Sequence, residues 1–89
     1  MQIEFDPAKD RINLEKHGIS LAAAADVDLD SAIIIEDRRF DYGEARFLAY
    51  APIFGRLHVL WFTMRGTIVR AIGLRQANRR ERKRYGHSS

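Results

Sequence analysis

The chain has 89 residues, of which 46% are hydrophobic and 30% charged, a balance typical of a globular protein, and we expect one domain over residues 1–89. It contains no cysteine, which excludes disulfides and thiolate metal sites. No apolar run approaches the roughly 18 residues of a membrane span. The first ten residues are polar and acidic, unlike a signal peptide, so the expected location is cytoplasmic.

Charge is divided unevenly along the chain. Residues 1–69 carry 8 basic and 11 acidic side chains, a net charge of −3, whereas residues 70–89 carry 7 basic side chains against Glu81 alone, a net charge of +6. A basic end of this kind favours a polyanion such as RNA, or an acidic partner protein. A solvated basic helix would have the same composition.

The N-terminal part predicts a short extended segment followed by two helices. Asp6 is a favourable N-cap and Pro7 a favourable first helical residue. The first helix should end at about His17, because Gly18 is suited to the left-handed position after a helix. Ser20 then predicts the cap of a second, short helix that contains the alanine run.

The C-terminal part predicts four strands and a basic helix. The strand-like segments are residues 32–36, 44–51, 56–64 and 67–75. Alternation in the second of these segments puts Phe47 and Ala49 on one face and Arg46 and Tyr50 on the other. Residues 76–85 predict a peripheral helix. The order β-α-α-β-β-β-β-α predicts an α+β fold with the helices on one face of an antiparallel sheet of four to five strands.

Polar side chains recur at helical spacing on the first predicted helix. Lys9, Asn13 and His17 share one face, and Ile12 with Leu14 forms a thin apolar face for docking. A lysine, an amide and an imidazole together could bind phosphate or transfer protons. The alternative is a solvated face on which His17 is a cation at the helix end.

Arginines and aromatic residues are interleaved in the predicted sheet. Arg70 and Arg75 are five positions apart, so they point to opposite faces unless a bulge intervenes, which Gly73 could provide. An arginine in a sheet can clamp a phosphate or form an ion pair with a neighbouring carboxylate. Trp61 can stack a base beside such arginines or pack in the core. Since no metal-binding or phosphate-loop motif occurs, we expect catalysis to need no metal and no cofactor.

Three blocks of sequence carry a resemblance to a known family. They read F-D-P-A-K…K-H-G-I, D-R-R…Y-G-E-A-R-F and R-A-I-G-L-R-Q-A…R-R-E-R-K-R-Y. In this order they resemble the BrnT family of type II toxin–antitoxin toxins, over about residues 5–85. The family usually has Trp where this chain has Phe5, and Ser-Ala where it has Gly73 and Leu74.

The resemblance implies a small RelE-like domain and a ribonuclease that blocks translation. The hypothesised reaction is metal-independent cleavage of RNA, by attack of a ribose 2′-oxygen on its neighbouring phosphate. The resemblance also implies a BrnA-like antitoxin whose complex with the toxin binds operator DNA. By motif position, it implies catalytic residues at Lys16, His17, Arg46, Arg75, Glu81 and Tyr85. His17 would act as base or acid, and Arg46 and Arg75 would stabilise the phosphate. Lys16 would position the backbone, and Tyr85 would stack a base or act as an acid.

Further basic and aromatic side chains are expected to contact RNA. These are Lys9, Trp61, Arg70, Arg79 and Arg82. Two other interpretations of the chain remain open. It could be a nucleic-acid-binding module without catalysis, or a protein-interaction module whose basic helix docks on an acidic segment.

Overall fold

The computed structural model describes residues 2–86, which form a five-stranded sheet with helical segments on both faces and along one edge. The strands are β1 (Gln2–Glu4), β2 (Ile33–Asp37), β3 (Arg46–Ile53), β4 (Arg56–Arg65) and β5 (Ile68–Gln76). The helices are α1 (Pro7–His17), a 3₁₀ helix (Leu21–Asp26) and α2 (Arg79–Tyr85). The α+β class is as predicted, and the second helix is of the 3₁₀ type. None of the helices within these residues is long and apolar enough to cross a membrane.

The sheet has the strand order β1-β5-β4-β3-β2. Strands β2 to β5 form an antiparallel meander, whereas β1 pairs with β5 in parallel. The prediction of an antiparallel sheet was therefore wrong at this edge, where the sheet is mixed. The three residues of β1 are too few for a periodic pattern, and their partner lies far along the chain.

The bounds of α1 follow from its caps, as predicted. The Asp6 carboxylate accepts a hydrogen bond from the Ala8 N–H at 2.8 Å, and Pro7 occupies the first turn. Gly18 has a φ of 72°, and its N–H donates to the Leu14 carbonyl. This left-handed conformation ends the helix, and only glycine adopts it at little cost in conformational energy.

A buried amide fixes α1 against the edge of β5. The Asn13 side-chain N–H groups donate to the carbonyls of Leu74 (2.8 Å) and Ile19 (2.9 Å), and its oxygen accepts from the Leu74 N–H (3.0 Å). Because β1 pairs only with residues 68–70, this amide takes the place of a strand further along β5. Ile12 and Leu14 are 61% and 50% exposed, so the predicted apolar docking face was wrong.

The two faces of the sheet carry separate apolar clusters. On the first face, the 3₁₀ helix packs Leu21 and Ala24 onto the strands. The strand residues of this cluster are Ala49, Ala51, Ile53, Leu60, Phe62, Val69, Ala71 and Leu74. On the second face, α2 contributes Tyr85 to a cluster with Tyr50 and Val59. The helices therefore do not share one face as predicted, because the side chains that α2 docks against point away from the main core.

Candidate active site

A bulge in β5 brings two arginines onto the second face. Trp61 lies opposite Gly73 and Phe62 opposite Ala71, so Ile72 is an extra residue in β5. The bulge restores the alternation, and Arg70 and Arg75 now lie opposite Thr63 and Val59, two positions of β4 that point the same way. The strand therefore has the bulge that the sequence allowed for.

Arg75 is held by a carboxylate and an aromatic ring. Its Nη1 and Nη2 atoms contact the two Glu81 carboxylate oxygens at 2.7 and 3.0 Å, a bidentate pair. The guanidinium carbon lies 5.0 Å from the centre of the Trp61 ring. The Arg75 side chain remains 25% exposed, so solvent or a ligand can reach it.

Glu81 is itself fixed by the first turn of α2. Its carboxylate accepts from the Asn78 backbone N–H at 2.9 Å, and its own N–H donates to the Asn78 side chain at 2.8 Å. This reciprocal capping box orients the carboxylate towards β5. The hydrogen bond from Arg75 is the largest cause that lowers the pKa of Glu81, so the carboxylate is ionised at neutral pH.

Two tyrosines stack next to this ion pair. The rings of Tyr50 on β3 and Tyr85 on α2 are 4.0 Å apart and nearly parallel, at 23°. Burial, followed by the charge of Glu81, raises the pKa of Tyr50, so its hydroxyl stays protonated. The stack attaches the C-terminal end of α2 to the sheet, and the ion pair between Glu81 and Arg75 attaches the first turn of α2.

His17 lies at the C-terminal end of α1. Burial is the largest cause that lowers its pKa from 6.5, and the charges of Lys16 and Arg75 lower the pKa further. Asn13, one turn earlier on α1, is hydrogen-bonded to Leu74, the neighbour of Arg75, so the end of α1 lies near this part of β5. At neutral pH the imidazole is therefore mostly uncharged and able to accept a proton.

A groove of about 650 Å³ begins beside the tyrosine stack. Tyr85 and Leu57 contribute apolar surface to it, and Ile33 of β2 lies at its far side. Arg56 and Arg82 supply positive charge. The groove could accept an apolar or aromatic group that carries negative charge.

The structure keeps Arg46 apart from Arg75. Arg46 and Tyr50 are four residues apart on β3, about 13 Å at the usual rise of a strand. The Arg46 guanidinium carbon lies 4.1 Å from the centre of the Tyr42 ring, and its Nε is buried without a hydrogen-bond partner among the described residues. Arg46 thus belongs to the opposite end of the second face from Tyr50.

Asp37 lies opposite Arg46 but is occupied by other groups. Its carboxylate accepts two side-chain hydrogen bonds from Arg39, both at 2.9 Å, and one from the Tyr42 hydroxyl at 3.0 Å. The hydrogen bond from Arg39 is the main reason that the pKa of Asp37 lies well below its usual range. This network orders the loop between β2 and β3.

The other predicted residues lie around these two regions. Arg70 forms an ion pair with Glu4 of β1 at 3.3 Å. Arg82 donates to the Ala77 carbonyl at 2.9 Å. Lys9, Lys16 and Arg79 are exposed on the two α-helices. The structure therefore brings Arg75, Glu81 and Trp61 into contact and puts Tyr85 and His17 near them, while Arg46 and Arg70 lie elsewhere on the sheet.

A comparison with known families gives a match over most of the chain. A family model described as the ribonuclease toxin BrnT of type II toxin–antitoxin systems matches residues 5–81. The chain belongs to the BrnT family. The BrnT match includes Arg75 and Glu81 and extends over β2 to β5, whereas β1 lies before it. No curated protein gave a match to the chain.

Membership of the BrnT family makes this chain a toxin of a type II toxin–antitoxin system with ribonuclease activity. An antitoxin partner and an RNA target follow from the same membership. At the two departures from the usual BrnT pattern, the packing is ordinary. Phe5 packs on the core of the first face, and a Cβ atom at Gly73 would lie 3.7 Å from the Trp61 ring.

Three residues of this region were not among the predicted site residues. Asn78 could have been found, because N-x-x-E is the spacing of a capping box at a helix start. Tyr50 was correctly predicted on the face of Arg46, but its contact with α2 depends on where that helix docks. Arg56 reaches the groove only because β4 begins beside α2, and no local sequence pattern predicts that position.

Proposed function

We propose that this BrnT chain cleaves RNA on the second face of its sheet without a metal ion. The reaction is attack of a ribose 2′-oxygen on the adjacent phosphate, with departure of the 5′-oxygen of the next nucleotide. It leaves a 2′,3′-cyclic phosphate and a free 5′-hydroxyl. A base must take the proton of the 2′-hydroxyl, an acid must protonate the leaving oxygen, and cations must stabilise the phosphorane.

The observation that carries this proposal is the donor geometry of Arg75. A guanidinium has five N–H donors. Nη1 uses its two on Glu81 and the Gln76 carbonyl, and Nη2 uses one on Glu81. The Nε–H and the second Nη2–H lie on one edge, and no group within residues 2–86 binds them. Two parallel donors on a partly exposed guanidinium fit two phosphate oxygens.

His17 is the base in this scheme. Its lowered pKa keeps the imidazole uncharged at neutral pH, as proton abstraction requires. Glu81 is a poor base, because its oxygens already accept hydrogen bonds and its pKa is lowered. We assign Glu81 to the orientation of Arg75. Lys16 binds the phosphate backbone beside His17, and Tyr85 acts as the acid or stacks a base.

The remaining cations and the tryptophan guide the RNA strand. Trp61 stacks a base next to Arg75, and Arg46 and Arg70 bind a phosphate further along the second face. This assignment moves Arg46 from the scissile phosphate to a flanking one, in keeping with the distance of about 13 Å that separates it from Tyr50 along β3. Lys9, Arg79 and Arg82 attract RNA through their charge.

The family supports a wider set of proposals. The domain is RelE-like, and cleavage of RNA in the cytoplasm stops translation. A BrnA-like antitoxin neutralises the toxin, and the complex of the two binds operator DNA. Co-expression with the antitoxin encoded beside the gene should restore growth, and the purified complex should shift operator DNA in a gel when the toxin alone does not.

The direct test is cleavage of single-stranded RNA by the purified chain in the presence of EDTA. We expect products with cyclic phosphate ends, and a rate reduced about 10²-fold or more by His17→Ala or Arg75→Ala. Arg11→Ala is a matched control, because Arg11 is exposed on α1 away from the second face and should have little effect. The rate should fall as the pH drops through a pKa below 6.5, where His17 gains a proton.

A requirement for added metal would contradict the mechanism, as would full activity in both variants at unchanged stability. Salt-dependent binding of RNA without any product would favour the nucleic-acid-binding module instead. The five exposed cations of α2 are the observation behind that second candidate. They are Arg79, Arg80, Arg82, Lys83 and Arg84.

A further inference from the structure

The edge strand β2 presents an apolar surface that the rest of the described chain leaves uncovered. It pairs with β3 on one side only, and within residues 2–86 no strand lies on its other side. Ile33, Ile34 and Ile35 are 38%, 44% and 38% exposed. Because side chains alternate along a strand, these isoleucines expose apolar surface on both faces of the edge.

The opposite edge of the sheet is protected, in contrast to β2. There β1 has only three residues, and α1 covers the next part of β5 through Asn13. Edge strands in soluble proteins are usually short, covered, or interrupted by lysine or proline. β2 has five residues, contains neither lysine nor proline, and has unpaired backbone groups beside aliphatic side chains. Such an edge is a template for another strand.

We infer that β2 pairs with β2 of a second copy of this chain, antiparallel and around a two-fold axis at Ile34. In this register Ile34 lies opposite its own counterpart, and Ile33 lies opposite Ile35 in both directions. Three successive isoleucine pairs result, and cross-strand pairs of β-branched residues stabilise a sheet. The flanking pairs are Ala32 with Glu36 and Ser31 with Asp37, so no like charges face each other.

Neighbouring registers are poorer. A two-fold axis at Ile33 sets Ala32 opposite Ile34 and brings Asp30 towards Glu36, which repel each other. An axis at Ile35 sets Ile34 opposite Glu36 and leaves only one isoleucine pair. Self-complementarity around one residue is the property that a symmetric interface requires. It favours a second copy over an unrelated strand as the occupant of this edge.

The pairing joins the two five-stranded sheets into one continuous sheet. Because the two-fold axis is perpendicular to the sheet, both second faces lie on the same side. The groove of each copy extends to the paired β2 strands, since Ile33 belongs both to the groove and to β2. This inference does not depend on the proposed ribonuclease mechanism.

The absence of cysteine from the sequence allows a sharp test by cross-linking. Directly opposite residues of an antiparallel pair have Cα atoms about 4.5–5.5 Å apart, within the range of a disulfide. We expect Ile34→Cys to form a disulfide-linked dimer on mild oxidation much faster than Ile12→Cys, whose position is 61% exposed on α1. Equal rates for the two variants would overturn the inference.

The register is tested by two further single-cysteine variants. Ile33→Cys and Ile35→Cys should each cross-link slowly alone, because like positions in the two copies are about 8 Å or more apart. A mixture of the two variants should cross-link rapidly, since Cys at one position faces Cys at the other. Rapid linkage of either variant alone and none in the mixture would contradict the register.

Sedimentation of the unmodified chain tests the dimer itself. We expect a concentration-dependent dimer, with a dissociation constant raised at least about tenfold in Ile34→Lys, which sets two like charges face to face. Ile12→Lys serves as the control and should leave dimerisation unchanged. Circular dichroism of the two variants is the check that both fold. A chain that is monomeric up to near-millimolar concentration, or a dimer indifferent to Ile34→Lys, would overturn the inference.

Discussion

Asn13 makes three hydrogen bonds to the backbone of Ile19 and Leu74, while Ile12 and Leu14 on either side of it stay exposed. A helix usually docks through an apolar stripe, and that rule led to the wrong face of α1. Here the helix meets the edge of a strand, which offers backbone N–H and C=O groups. A side-chain amide matches both kinds of group, and an aliphatic side chain matches neither.

Replacement of Asn13 by alanine should therefore be costly. It leaves the buried N–H and carbonyl of Leu74 without partners, and we expect a loss of about 2–4 kcal/mol in the free energy of unfolding. Urea denaturation followed by circular dichroism measures this loss. Ile12→Ala is the neighbouring control and should change stability by less than about 0.5 kcal/mol. Similar losses in the two variants would contradict the anchoring role of the amide.

Among the elements, α2 depends least on apolar burial. None of its residues is fully buried, and its sequence has no continuous apolar stripe. It is held at its first turn by Glu81, which binds Arg75, and at its last turn by Tyr85, which stacks on Tyr50. Two of the proposed site residues are thus also the attachments of the helix, which couples the order of α2 to the site.

The Asn78→Ala variant tests this coupling. Loss of the side-chain cap should cost about 1 kcal/mol, because the Glu81 backbone N–H loses its hydrogen bond to the Asn78 side chain. We expect a melting temperature several degrees lower, together with slower RNA cleavage, because a less ordered first turn of α2 holds Glu81 less firmly against Arg75. Asn78→Ser is the control at the same position, since a serine hydroxyl can also cap the helix by accepting from the Glu81 N–H. An unchanged cleavage rate in Asn78→Ala would show that the order of α2 does not affect the site.

Local signals predicted those elements whose ends are set by nearby residues. Asp6 and Gly18 fixed α1 correctly, and each strand of the meander was predicted within two residues of its observed ends. The parallel pairing of Ile3 with Val69 was not predicted, because it joins residues that are far apart in sequence. The side of the sheet on which α2 lies depends on Tyr85 reaching Tyr50, which is equally non-local.

The candidate site was predictable only in part, because contacts between residues that are far apart in sequence also determine it. Motif position indicated Arg75 and Glu81, and the structure joins them in one ion pair. Motif position did not indicate that Arg46 lies at the far end of the second face, because the distance between two arginines in a sheet depends on the strand register. The bulge at Ile72 is a similar case: glycine made it possible, but only the pairing with β4 determines which residue is extra.

For the whole molecule, charge is distributed by face as well as by sequence. Exposed cations follow β5 on α2, which docks on the second face. Exposed carboxylates lie at the end of the 3₁₀ helix, which covers the first face, and just after it, at Asp26, Asp28 and Asp30. We therefore expect an RNA strand to be attracted to the second face and repelled from the first.

The salt dependence of RNA binding measures this attraction. Arg79→Gln combined with Arg80→Gln should reduce the slope of log affinity against log salt concentration by roughly 1 to 1.5 on single-stranded RNA. Arg11→Gln combined with Arg38→Gln removes the same charge from exposed sites outside the second face and should reduce the slope much less. Equal slopes in the two double variants would show that only net charge matters and that the face does not.

The parallel pairing of β1 with β5 also has a consequence for the order of events during synthesis. Residues 2–4 leave the ribosome early, but residues 68–70, their partners, follow only after nearly all of the described chain. The same late strand carries Leu74, on which Asn13 docks, and Arg75. Until β5 is made, the first strand has no partner, α1 has no anchor and Arg75 does not yet exist. The proposed catalytic site therefore cannot assemble on the growing chain, next to the ribosome that makes it, until β5 has been synthesised.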